Sequence, residues 1–133
     1  TELFPYSHLA YNNRGFSKYK IKDYEGAIAD FTIAIVLNPD DDFPKVYYHR
    51  GNSKVKLKDY YGAIEDYTNA IRIKPNFVSA YNNRGLEYSI LKYTEMAIED
   101  FNKVMELDSD YLPGYFNRGR AKNKLEDYEG ARQ

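Results

Sequence analysis

Small, apolar and aromatic residues recur along the chain at three- and four-residue spacing, in blocks separated by short polar turns. That spacing is helical, since positions three and four apart share one face of a helix. The pattern predicts helices near 7–20, 24–37, 44–57, 60–73, 78–91, 94–107 and 112–125, with a frayed last turn from 128. The turns read Asp23-Tyr-Glu-Gly, Asp59-Tyr-Tyr-Gly and Asp127-Tyr-Glu-Gly, with the aspartate placed to cap the helix that follows. Pro39 and Pro75 stand where a helix must stop.

The blocks are copies of one another. Tyr11-Asn-Asn-Arg-Gly15, Tyr47-Tyr-His-Arg-Gly51, Tyr81-Asn-Asn-Arg-Gly85 and Tyr115-Phe-Asn-Arg-Gly119 are one motif written four times, with glycines 36, 34 and 34 residues apart. Alanine follows twelve residues later, at Ala27, Ala63, Ala97 and Ala131, and an aromatic four further on, at Phe31, Tyr67 and Phe101. Ala34, Ala70 and Val104 come next. A small residue on the first helix facing a small residue on the second lets two backbones approach closely, and the aromatic fills the space beyond. This period and these anchors resemble the tetratricopeptide repeat, over nearly the whole chain. The resemblance implies one all-α domain over 1–133, a right-handed helix–turn–helix solenoid of about 3.5 repeats, near 8–41, 44–77, 78–111 and a truncated 112–133. It also implies a protein–protein interaction module rather than an enzyme.

The chain departs from the family pattern in several places. Arg14, Arg50, Arg84 and Arg118 stand where leucine is usual, and Lys18, Lys54 and Lys122 where tyrosine is usual, with Tyr88 regular. Ser109 replaces the third proline, Tyr93 sits one place early in its turn, and Asp40–Phe43 lengthens the first inter-repeat turn. The arginines are expected to pair with Asp30, Asp66 and Asp100. Stripe geometry favours bridges between successive repeats (Asp30–Arg50, Asp66–Arg84, Asp100–Arg118), and closure within each repeat, as Arg14–Asp30, is the competing register. The lysines have no assigned role beyond stems lying on the core.

Composition narrows the function. Nineteen Lys+Arg against 20 Asp+Glu argue against a nucleic-acid coat, and 43% hydrophobic residues against disorder. With no cysteine and two histidines, thiolate chemistry and a histidine-rich metal site are excluded, and no cofactor is implied. No phosphate-binding loop and no Ser–His–Asp set is present. Fifteen tyrosines with no tryptophan fit the repeated aromatic anchors, with hydroxyls wet at the rim. The chain opens at Thr1, which suggests a piece of a longer protein, and the cytoplasm is only a default location.

In the family, the first helix of each repeat builds the concave face. Here those positions are Leu9, Asn12, Asn13, Phe16, Tyr19 and Lys20, then Lys45, Tyr48, His49, Asn52, Val55 and Lys56. The third repeat supplies Ser79, Asn82, Asn83, Leu86, Ser89 and Ile90, and the fourth Pro113, Phe116, Asn117, Arg120, Asn123 and Lys124. Five are Lys or Arg and none is Asp or Glu, although 20 of 133 residues are acidic. Asn13, His49, Asn83 and Asn117 share one repeat position, similar to the asparagine ladder of O-linked N-acetylglucosamine transferase repeats. Such a row of amides suits an extended peptide backbone; the plain alternative is a solvated polar face. The carboxylate clamp that related repeats use is missing, because its places read Asn12, Phe16, His49, Ser79 and Asn83, and one repeat on they read Tyr48, Asn52, Asn83, Pro113 and Asn117. The expectation is an extended, neutral-to-acidic peptide from a partner protein, received by Phe16, Tyr48, Leu86 and Phe116. The alternative is a self-assembly segment that docks on another copy through open repeat edges.

Overall fold

The computed structural model describes residues 7–38 and 42–132. Among them are seven helices and no strand: α1 (His8–Lys20), α2 (Tyr24–Leu37), α3 (Pro44–Lys56), α4 (Tyr60–Ile73), α5 (Val78–Ile90), α6 (Thr94–Leu107) and α7 (Leu112–Arg132). The expectations placed on Pro39, Asp40 and Asp41, on the side chain of Ala131 and on Gln133 lie outside the described residues. The chain divides into two compact units, Thr1–Pro75 and Asn76–Gln133.

Unit 1 contains two helix pairs, α1–α2 and α3–α4. Ala27, Phe31, Ala34 and Val46 form a buried cluster, with Tyr11, Tyr19 and Tyr47 packed against it. Unit 2 has α5, α6 and α7 around Ala97, Phe101 and Ala121. The motif glycine meets the aromatic first, rather than the alanine. A Cβ built on Gly15 would fall 2.7 Å from the Phe31 ring, on Gly51 2.8 Å from Tyr67, and on Gly85 2.6 Å from Phe101. Each contact closes inside one repeat.

The turns within the repeats share one geometry. Asp23 N–H donates to the Lys18 carbonyl at 2.8 Å and Lys22 N–H to Tyr19 at 3.0 Å, and the same pair of bonds recurs at Asp59/Lys58 and Tyr93/Lys92. This is a Schellman ending, whose left-handed residue is usually glycine. Here it is lysine, with φ of 70° at Lys22, 66° at Lys58 and 70° at Lys92. A side chain in that conformation costs about 1 kcal/mol, which the packing of the second helix offsets. Asp23 and Asp59 cap that helix as expected, accepting from Gly26 and Gly62 N–H at 3.0 Å. Tyr93, in the equivalent place, makes no side-chain cap.

The fourth repeat breaks the prediction. Asp127-Tyr-Glu-Gly130 does not form a turn; α7 runs through it as one helix of 21 residues. Nothing lies within 4 Å of a Cβ on Gly119, the counterpart of the three crowded glycines.

Candidate functional site

The arginine register is a second correction. Arg14 Nε and Nη2 donate to Asp30 at 2.8 and 2.7 Å, Arg50 to Asp66 at 2.9 and 2.7 Å, and Arg84 to Asp100 at 2.9 and 2.7 Å. All three bidentate pairs close within a repeat, which is the competing register, rather than as the expected Asp30–Arg50, Asp66–Arg84 and Asp100–Arg118 bridges. The reason is the glycine–aromatic contact. Arginine precedes the glycine and aspartate precedes the aromatic, so the contact carries both into reach. The arginine still reaches back a repeat, through a neutral partner. Arg50 donates to Thr32 at 3.1 Å and Arg118 to Asn102 at 3.0 Å.

The lysines now have a role. Lys18 Nζ lies 3.1 Å from Asp30 and Lys54 Nζ 3.1 Å from Asp66, each on the carboxylate oxygen that Arg Nε also contacts. In the third repeat Tyr88 takes the lysine position, and Asp100 keeps the arginine alone. Charge states follow. Burial pushes the Asp30 carboxyl up, but hydrogen bonds from Arg14 and Lys18 outweigh it and hold it below the ordinary value. At Asp100 burial prevails over Arg84 and the carboxyl is raised. These aspartates are ion-paired and buried; they brace the first helices rather than meet a ligand.

On the first-helix face of unit 1 the aromatic residues gather. The His49 ring lies 4.9 Å from Phe16, 5.5 Å from Tyr48 and 6.0 Å from Phe31. Tyr19 is nearly parallel to Phe16 at 6.4 Å, and Lys20 Nζ stands 5.3 Å over the Phe16 ring. Burial and then the charge of Lys45 lower the His49 pKa, so its ring is neutral at pH 7. Asn52 accepts from the Tyr67 hydroxyl at 2.6 Å. Lys20, Lys45, Lys56 and Asn13 are exposed, and Asn12 is buried.

Unit 2 differs. Asn117 Nδ2 donates to Asn82 Oδ1 at 3.1 Å, so one expected rung is tied to its neighbour. Asn117, with Leu86, Arg120 and Lys124, lines a cleft of about 260 Å³ that Glu87, Ser89, Ile90 and Phe101 complete. Phe116 is exposed with Arg120 over its ring at 5.7 Å, and Asn83 is half-buried.

Sequence reasoning missed Glu87. It occupies a position that holds Ser17, Ser53 and Ala121 in the other repeats, and burial raises its carboxyl to about 7. A charged residue at an otherwise small position was the available signal. Also missed is a cleft of about 510 Å³ lined by Lys92–Met96 with Leu125 and Tyr128 of α7. Among the described residues no group of side chains could hold a metal ion, and no helix is long and apolar enough to cross a membrane.

Comparison with known families and structures gives one consistent likeness. Tetratricopeptide-repeat profiles match residues 8–41 and 78–111, and a related TPR-repeat profile matches 51–89. The first TPR of Spaghetti (RPAP3), solved bound to an HSP90 peptide, is 22% identical with a TM-score of 0.86, over 92% of this chain and 95% of that one. The second TPR domain of human RPAP3, in complex with an HSP70 peptide, is 24% identical with a TM-score of 0.81, over 86% and 93%. The Arabidopsis OM64 TPR domain is 25% identical with a TM-score of 0.82, over 87% and 94%. No curated protein sequence matches.

Proposed function

Because this chain belongs to the tetratricopeptide repeat family, whose members act as protein–protein interaction modules, we propose that it binds an extended, neutral-to-acidic peptide segment of a partner protein. The residues offered to the peptide are those of the first-helix faces, α1 and α3 in unit 1 and α5 and α7 in unit 2. One observation carries the reading: these positions hold five cations and no acid, and Lys20, Lys45, Lys56, Arg120 and Lys124 are all exposed. Exposed Phe16 and Phe116 offer apolar contact beside them. The peptides named for the RPAP3 structures belong to those proteins. Here Asn12 and Ser79 occupy clamp places that call for lysine, and Phe16 one that calls for asparagine, which supports a different ligand.

The test is titration of one partner peptide against variants at two ionic strengths. Asn83→Ala should weaken binding by roughly 0.5–1.5 kcal/mol for any peptide sequence, because it removes a backbone-directed amide. Lys56→Glu and Lys124→Glu should weaken acidic peptides only, by an amount that fades in salt. Glu65→Lys, on α4, should change nothing. Loss of binding in Glu65→Lys with none in the other three would overturn the reading.

A second reading, self-assembly, is favoured by α7, where Leu112 is 75% and Phe116 66% exposed. Light scattering that shows mass rising with concentration would support it; a constant monomer mass would dispose of it.

A further inference from the structure

Two asparagines occupy the same place in different repeats, three residues before the motif glycine: Asn12 in unit 1 and Asn82 in unit 2. Both are buried, at 8% and 4% exposure. Asn82 Oδ1 accepts from Asn117, which stands two residues before the next glycine. The residue with that relation to Asn12 is His49. Its ring packs on Phe16, Tyr48 and Phe31, and Asn12 Oδ1 is left buried with no hydrogen-bond partner. No other buried side-chain oxygen or nitrogen among the described residues is left so.

A buried acceptor without a donor is costly to a fold, and such groups in native proteins call for a functional account. Next to Asn12 in the chain is exposed Asn13, and one turn on is Phe16 at the edge of the ring cluster. The surroundings are aromatic and poor in water, where a hydrogen bond is strong once made. We propose that Asn12 Oδ1 is the acceptor for a single backbone N–H of the bound peptide, whose adjoining apolar or aromatic side chain packs against Phe16, Tyr48 and His49. This rests on the peptide-binding reading above and adds to it a specific anchor in unit 1. Because the oxygen is sealed from water in the free protein, the side chains packed over it shift when the donor arrives. In unit 2 the equivalent acceptor is already occupied by Asn117, so the first-helix faces of the two units are not interchangeable.

The inference makes opposed demands on stability and affinity. Asn12→Leu removes an unsatisfied amide, so its thermal midpoint should match or exceed that of the wild type, whereas Asn82→Leu should lose several degrees. His49→Asn would supply the donor that Asn117 supplies in unit 2. It should therefore raise the midpoint and weaken peptide binding, although it completes the row of asparagines. The probe is the tightest binder from an array of N-acetylated, C-amidated octapeptides built from Leu, Phe, Ala, Asn, Asp and Glu. Methylating its backbone nitrogens one at a time should reveal a single position where affinity falls about tenfold on the wild type and not at all on Asn12→Leu.

Tighter binding by His49→Asn would overturn the proposal, as would a midpoint for Asn12→Leu as low as that of Asn82→Leu. Unchanged affinity in Asn12→Leu while Lys56→Glu still weakens acidic peptides would sink this anchor and leave the peptide reading standing. An array on which nothing binds would sink both.

Discussion

Each buried aspartate of unit 1 is held by two cations, Asp30 by Arg14 and Lys18 and Asp66 by Arg50 and Lys54. The aspartate of unit 2, Asp100, has Arg84 alone, and its helix is preceded by Tyr93, which lacks the side-chain cap that Asp23 and Asp59 provide. Unit 1 is thus over-determined in its bracing and open in its amide, while unit 2 is thinly braced and has its amide paired. The same repeat can be tuned for either, because bracing residues and face residues occupy different positions of the first helix.

The largest expected effect tests the bracing. Arg84→Leu strands Asp100 and should cost about 3 kcal/mol in chemical denaturation. Arg14→Leu, nearly half exposed and backed by Lys18, should cost about 1 kcal/mol. A double-mutant cycle should couple Arg84 to Asp100. Equal costs for the two arginines would erase the difference between the units.

Next is pH. Glu87 is raised to about 7 by burial, so its contribution is intact below the ordinary glutamate value and is lost as pH rises through about 7. Asp100, also raised, acts in the same sense nearer the acid range. Asp30 is lowered, so its contribution is present above its ordinary value and lost as pH falls through the depressed one. Between pH 5 and 8 Glu87 should therefore cost unit 2 on the order of 2–3 kcal/mol, with hydrogen exchange quickening there, while His49 in unit 1, its pKa lowered, acts in the opposite sense and favours the fold as pH rises. Glu87→Gln should flatten that loss; an unaltered slope would show that Glu87 is not its source.

The smallest is the cap. Tyr93→Asp should give α6 the bond that α2 and α4 already have, and stabilise unit 2 by about 0.5–1 kcal/mol in thermal denaturation. No gain would mean that the Tyr88–Tyr93 edge contact at 6.3 Å is worth as much as the cap.

Helices α1 to α6 were legible because their anchors are local: a glycine, an alanine and an aromatic at fixed spacing define each pair. Helix α7 was legible only as far as 125, because Asp127-Tyr-Glu-Gly130 carries the letters of the first two turns and yet lies inside the helix. The arginine register was hidden for a related reason. Facing stripes allow either partner, and the glycine–aromatic contact, visible only in three dimensions, decides between them. Lys18 and Lys54 gained a role once Asp30 and Asp66 were placed. Of the face residues, charge and exposure at Lys20, Lys45, Lys56, Arg120 and Lys124 followed from their positions. Asn12 and Asn82 are the same letter in the same place, and differ only because His49 or Asn117 comes 37 or 35 residues later.

The central claim, that first-helix faces receive the partner, is tested most directly by following backbone and side-chain amide resonances while the peptide is added. The account predicts perturbations at Asn12, Asn13, Phe16, His49 and Lys56 on α1 and α3, and at Asn83, Leu86 and Lys124 on α5 and α7, with Glu65, Thr68 and Arg72 on α4 unmoved. Perturbations confined to α2, α4 and α6, with the first helices silent, would contradict it.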